Sequence, residues 1–95
     1  MLMHSPPHPG EVLRELYLEP LNLTITKVAE ALHVPRRSLS SLINGRVPVT
    51  PPMAVRLSFA LNTSPELWMN LQQQYDLWAA MQNEELHKVE KLVAA

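Results

Sequence analysis

Thr24-Ile25-Thr26-Lys27-Val28-Ala29-Glu30-Ala31-Leu32-His33-Val34-Pro35-Arg36-Arg37-Ser38-Leu39-Ser40-Ser41-Leu42-Ile43-Asn44-Gly45 is the stretch that decides the fold. Thr24 is a helix N-cap residue, and Val28, Ala29 and Leu32 then repeat at helical spacing. His33 and Val34 leave room only for a short turn. Pro35 suits a helix start, and Gly45 suits the position just past a helix end. Two helices this short, joined this tightly, cannot lie antiparallel. They cross steeply, and the methyl of Ala29 leaves space at the crossing, which is the helix-turn-helix arrangement.

The second helix divides into two faces. At ~100° per residue, Leu39, Leu42 and Ile43 fall on one side, while Arg37, Ser40, Ser41 and Asn44 fall on the other. Arg36 and Ser38 occupy the flanks. The outward face therefore has an arginine, small hydroxyls and an amide, with no acid and no apolar side chain. Small residues let a helix sit deep in a DNA major groove ~12 Å wide, and Arg and Asn carry the paired hydrogen-bonding groups that distinguish guanine and adenine edges. The face predicts base reading by Arg37, Ser40, Ser41 and Asn44. Phosphate contacts are expected from Thr24, Thr26, Lys27, Arg36, Ser38 and Arg46. It has no aromatic side chain of the kind that stacks on unpaired RNA bases, so duplex DNA is the favoured partner.

Outward from this unit, proline and polar clusters divide the chain into five helices and no strands. The first runs from Pro9 or Gly10 to about Leu18, with Val12, Leu13, Leu16 and Tyr17 at helical spacing and Pro20 ending it. Thr50 caps a fourth helix that reaches about Leu61, with Pro51 and Pro52 in its first turn. Ser64 caps the fifth and longest, which runs to about Asn83. Residues 1–7 read as a flexible tail, residues 8–83 as the domain, and residues 84–95 as a C-terminal helical extension with Leu86, Val89, Leu92 and Val93 at helical spacing. Leu67, Trp68 and Leu71 are expected in the core. Tyr75, Leu77, Trp78 and Met81 exceed what so small a core can hide and are expected at a dimer interface.

Composition bounds the rest. Ninety-five residues, 46% hydrophobic, make one domain with one modest core. The absence of cysteine excludes disulfides and thiolate metal sites and fits a reducing cytoplasm. No apolar run approaches a membrane span or a secretory signal. The net charge of −1 hides an uneven distribution. Residues 31–65 have Arg36, Arg37, Arg46 and Arg56 and no acid, while both flanks are acidic. That is either a solvated surface or one face turned to an anionic partner; charge alone does not choose. His4 and His8 flank Ser5-Pro6-Pro7, which cannot form a regular helix, so no metal site is expected; His8 is expected to cap or pack at the start of the first helix. There is no nucleophile with a base, no paired carboxylates and no phosphate loop, so no cofactor and no enzymatic activity are expected.

Several segments carry a family resemblance. They are His8-Pro9-Gly10-Glu11-Val12-Leu13-Arg14-Glu15, Tyr17-Leu18-Glu19-Pro20-Leu21, Val28-Ala29-Glu30-Ala31-Leu32, and Leu39-Ser40-Ser41-Leu42-Ile43-Asn44-Gly45-Arg46. Further along stand Thr50-Pro51-Pro52-Met53-Ala54-Val55-Arg56-Leu57, Ser64-Pro65-Glu66-Leu67-Trp68-Met69-Asn70-Leu71-Gln72 and Tyr75-Asp76-Leu77-Trp78. Together the chain resembles the HigA antitoxin, or virulence-associated protein I, family within the Xre/Cro-like helix-turn-helix class. The resemblance implies an all-α, five-helix Cro/lambda-repressor-like domain with a longer C-terminal helix. It also implies a dimeric repressor of a palindromic operator, acting in the bacterial cytoplasm at the nucleoid, and a HigB-like ribonuclease toxin from the neighbouring gene as partner. A stand-alone regulator or protein-interaction module without a toxin is the alternative. Three positions depart from the class: His33 stands where glycine is usual, Pro35 where a polar cap is usual, and Lys27 where an acid is frequent.

Overall fold

The computed structural model describes residues 5–94 and consists of helices, turns and loops. Helix α1 spans Pro9–Leu13 and runs on into a π-helical turn, Arg14–Leu18. Helix α2 spans Ile25–Leu32, α3 Arg36–Ile43, α4 Pro51–Leu61 and α5 Pro65–Met81. The five expected helices are present, each near its expected bounds.

Local chemistry explains most of the boundaries. The hydroxyls of Thr24, Thr50 and Ser64 accept hydrogen bonds from the backbone N–H of Lys27, Met53 and Leu67, so each satisfies one donor in a first helical turn. His8 does the same for α1: its Nδ1 accepts from Gly10 N–H at 2.9 Å. The ends of four helical segments are closed by residues at positive φ, namely Asn22, His33, Gly45 and Asn62. After α3, Gly45 N–H donates to the Leu42 carbonyl and Arg46 N–H to the Ser41 carbonyl, the paired bonds of a Schellman motif. His33 closes α2 in the same way, at φ 57° and ψ 44°. Glycine takes this conformation freely, and asparagine and histidine are among the side chains that adopt it most often.

The core is one cluster centred on Leu13, Leu39, Leu42, Leu57 and Trp68. Val28, Ala29 and Leu32 of α2 and Leu39, Leu42 and Ile43 of α3 all face it, as their spacing predicts. Trp68 is wholly buried, and its indole N–H donates to Thr63 Oγ1 at 2.8 Å. Gly10 lies so close to α3 that a Cβ built on it would fall 1.8 Å from the Leu42 carbonyl oxygen.

Three apolar expectations change. Leu16 is 64% exposed, because the π turn shifts the phase of the first helix. Glu19 N–H bonds back five residues to Arg14, and Leu13 and Leu18, five apart, both reach the core. Leu67, expected in the core, is also on the outside, 39% exposed, leaving Trp68 and the half-buried Leu71 to seal that side. Residues 84–95 were expected as a helical extension; a single 3-10 turn, Glu84–Lys88, follows Asn83, and Val89 to Ala94 form no helix. Leu86, Val89, Leu92 and Val93 are exposed there, and so short a helix with nothing to pack against is not stable in water. Residues 1–4, most of the expected tail together with His4, lie outside the described residues.

Candidate nucleic-acid interface

Helix α3 presents the outward face that its sequence defines. Arg37 and Asn44 are exposed, Ser40 and Ser41 half-buried between them, and Arg36 and Ser38 exposed on the two flanks. No carboxylate lies on this helix. Asn44 Nδ2 leans on Ser40 Oγ at 3.5 Å, leaving its carbonyl side open. Arg36 is held in place: its Nε donates to Thr26 Oγ1 at 3.0 Å, which joins the first turn of α2 to the first turn of α3. Thr24, Thr26, Lys27 and Arg36 thus form one exposed patch at the start of both helices. Arg46 sits past the other end of α3, its backbone fixed by the Schellman bond to Ser41. The structure thereby brings the expected phosphate-contacting residues to the two ends and one edge of the expected base-reading face.

Several residues at this site were not foreseen. Arg56, one of the four arginines of the cationic middle, turns away from α3: its Nη1 donates to the Leu32 carbonyl at 2.7 Å and caps the C-terminus of α2. Gln72, buried at 5% exposure, accepts from Val49 N–H at 2.8 Å and donates to Asp76 at 2.8 Å. It pins the loop after α3 to α5. Val47 and Met53 bring apolar surface beside Arg37 and Ser41, in a groove of about 340 Å³. A tertiary hydrogen bond or a groove between helices leaves no periodic trace in a sequence, whereas Gly10, directly behind a proline at a helix start, was a readable hint of close packing.

The residues expected at a dimer interface divide into two groups. Leu77 and Met81 are each 54% exposed. Tyr75 and Trp78 are half-buried and line a cleft of about 500 Å³ with His8, Arg14 and Asn44. His8 meets Tyr75 edge-on, with ring centroids 4.9 Å apart, and so caps α1 and packs against α5 together. Burial holds the His8 pKa below its ordinary value, against the opposing pull of Asp76, the Val47 backbone and Glu11. No helix among the described residues is long and apolar enough to cross a membrane.

Two short crossed helices, the second with an acid-free polar face and arginines at its borders, define a helix-turn-helix DNA-binding domain. Comparison with known proteins agrees: the helix-turn-helix family model HTH_3 matches residues 13–68. The HTH-type transcriptional regulator YbaQ of Escherichia coli is 45% identical over 90 residues, covering 90% of this chain and 80% of that one. Antitoxin HigA-1 of Vibrio cholerae is 46% identical over 69 residues, covering 73% of this chain and 65% of that one. Among solved structures, antitoxin GraA superposes with a TM-score of 0.89 at 36% identity, covering 95% of this chain and all of that one; it has also been solved in complex with its operator. The chain belongs to the Xre-like helix-turn-helix family, in the group that includes the HigA antitoxins and the virulence-associated proteins. That is a family of DNA-binding regulators and antitoxins, not of enzymes.

Proposed function

We propose that the chain is a sequence-specific operator-binding repressor that acts as a homodimer and, as an antitoxin, controls its own operon. The observation that carries this reading is the α3 face: Arg37, Ser40, Ser41 and Asn44 stand together without a carboxylate, and Arg36, locked to Thr26, stands at their border. In this reading those four side chains contact base edges. Thr24, Thr26, Lys27, Arg36, Ser38 and Arg46 hold the phosphates on either side. Tyr75, Leu77, Trp78 and Met81 of α5 form the dimer contact, supported by the exposure of Leu77 and Met81. A two-fold dimer sets the two α3 helices about one DNA turn, ~34 Å, apart, so the operator is palindromic. The kinship with the antitoxins HigA-1 and GraA supports a toxin as second partner, and the HigA resemblance implies that it is a ribonuclease. Such a regulator works on the nucleoid in the bacterial cytoplasm.

The test is binding to duplexes selected from genomic DNA, followed by fluorescence anisotropy at fixed salt. Arg37→Ala and Asn44→Ala are each expected to weaken specific binding by about 1–3 kcal/mol. Unchanged affinity of both variants would remove α3 as the reading helix. Co-purification with the product of the adjoining gene tests the antitoxin role. Failure of the pair to associate at micromolar concentration would leave a regulator without a toxin.

A further inference from the structure

The groove beside α3 combines surfaces of two kinds. Leu42, Val47 and Met53 supply apolar lining, and Arg37, Ser41 and Thr50 supply polar lining. Leu42 is buried, but Val47, on the loop after α3, is 40% exposed. The groove runs along the flank of the reading face nearest the start of α4, because Ser38, Ser41 and Leu42 border it while Arg36 and Thr26 stand on the opposite flank. No acidic residue lines it, and Arg37 makes it cationic, so it suits a nucleic-acid strand.

The one apolar group that projects from a major-groove base edge is the C5-methyl of thymine; cytosine has only a hydrogen at the same place, and the remaining recognition positions donate or accept hydrogen bonds. A polar edge pressed against Val47 and Met53 would lose water without gaining a partner, whereas a methyl group loses nothing there. We propose that this groove is a specificity site for the 5-methyl group of a thymine, next to the base read by Arg37 and Ser41. Val47 is the residue that determines the preference. This rests on the assignment of α3 as the reading helix. It adds a requirement for thymine that the polar residues of α3 do not impose.

The experiment uses the full chain and its selected operator. Each thymine is replaced in turn by deoxyuridine, which removes only the methyl group, and affinity is measured by anisotropy at constant salt. At one position per half-site the replacement is expected to weaken binding about fourfold, what burial of one methyl is worth, and about fifteenfold when both half-sites are changed. In Val47→Ser, whose fold is checked by circular dichroism, thymine and deoxyuridine are expected to bind alike. Val47→Ala is expected to retain part of the difference. Selection that returns no fixed thymine, or tolerance of deoxyuridine at every position, overturns the proposal; the second result is what a groove filled only by deoxyribose would give. A penalty that persists in Val47→Ser assigns the methyl to another surface and overturns it too. Arg37→Ala and Asn44→Ala, measured on the same duplexes, show separately whether the reading helix itself fails.

Discussion

At the scale of single residues, two positions at the start of α1 govern how α3 is held. Gly10 is one: a Cβ there would sit 1.8 Å from the Leu42 carbonyl, and that backbone atom belongs to α3, so it cannot rotate away. Gly10→Ala is therefore expected to cost about 3 kcal/mol and lower the Tm by roughly 10–20 °C, measured by thermal unfolding followed by circular dichroism. His8 is the other. Its Nδ1 accepts from Gly10 N–H and must be unprotonated to do so, and burial favours the same neutral form. Because the folded-state pKa lies below the ordinary 6.5, the unfolded chain binds more protons between those values. The His8 contribution to stability is thus complete above about pH 6.5 and is lost as pH falls through the window beneath it. Urea titrations across that range should show the slope, and His8→Asn, which can still cap, should flatten it. The capping role of His8 was legible from its place before Pro9-Gly10. Its contact with Tyr75, 67 residues further along the chain, was not, since no local pattern encodes a partner that distant.

At the scale of helices, the sequence was most readable where one residue type has one local use. Thr24, Thr50 and Ser64 cap, proline starts helices α4 and α5 at N1, and Gly45 closes α3. The reading was less complete where the core sets the geometry. A regular period places Leu16 with Val12 and Leu13, but Leu18 is the better anchor, and one π turn reaches it. Gln72 shows the same limit in α5. Its place four residues after Trp68 puts it on the inner face, but nothing local tells that it is the buried acceptor that holds the loop carrying Val47 and Val49. Gln72→Ala leaves Val49 N–H buried without a partner and is expected to destabilise the domain by about 2 kcal/mol. Amide exchange at Val49 should accelerate well beyond that of the α2 amides. Equal protection across both would show that the loop is held by packing and not by this hydrogen bond.

At the scale of the whole molecule, a chain of net charge −1 has to bind a polyanion, and placement of charge resolves the conflict. Glu15 and Glu19 lie beside Arg14 around the π turn, and Glu85 pairs with Lys88 past α5, so these acids stand next to cations of their own and none is on α3. Arg56 is taken up by the end of α2, so it adds nothing at the DNA face. Of the basic side chains on and beside α2 and α3, Lys27, Arg36 and Arg46 remain for phosphates, and Arg37 for a base. A dimer then neutralises about six phosphates, and the logarithm of its affinity should fall with the logarithm of salt concentration with a slope of about −5. A single protomer on DNA would give about half that slope. Lys27→Gln removes one contact from each protomer and should reduce the steepness by about 2, weakening specific and random duplexes alike. Arg37→Ala should instead weaken the operator more than random DNA, because a base contact distinguishes the two and a phosphate contact does not. Salt titrations of wild type and both variants on the two duplexes give all these quantities. A slope unchanged by Lys27→Gln would turn the start of α2 away from the phosphates and leave α3 and Arg46 to orient the domain on DNA.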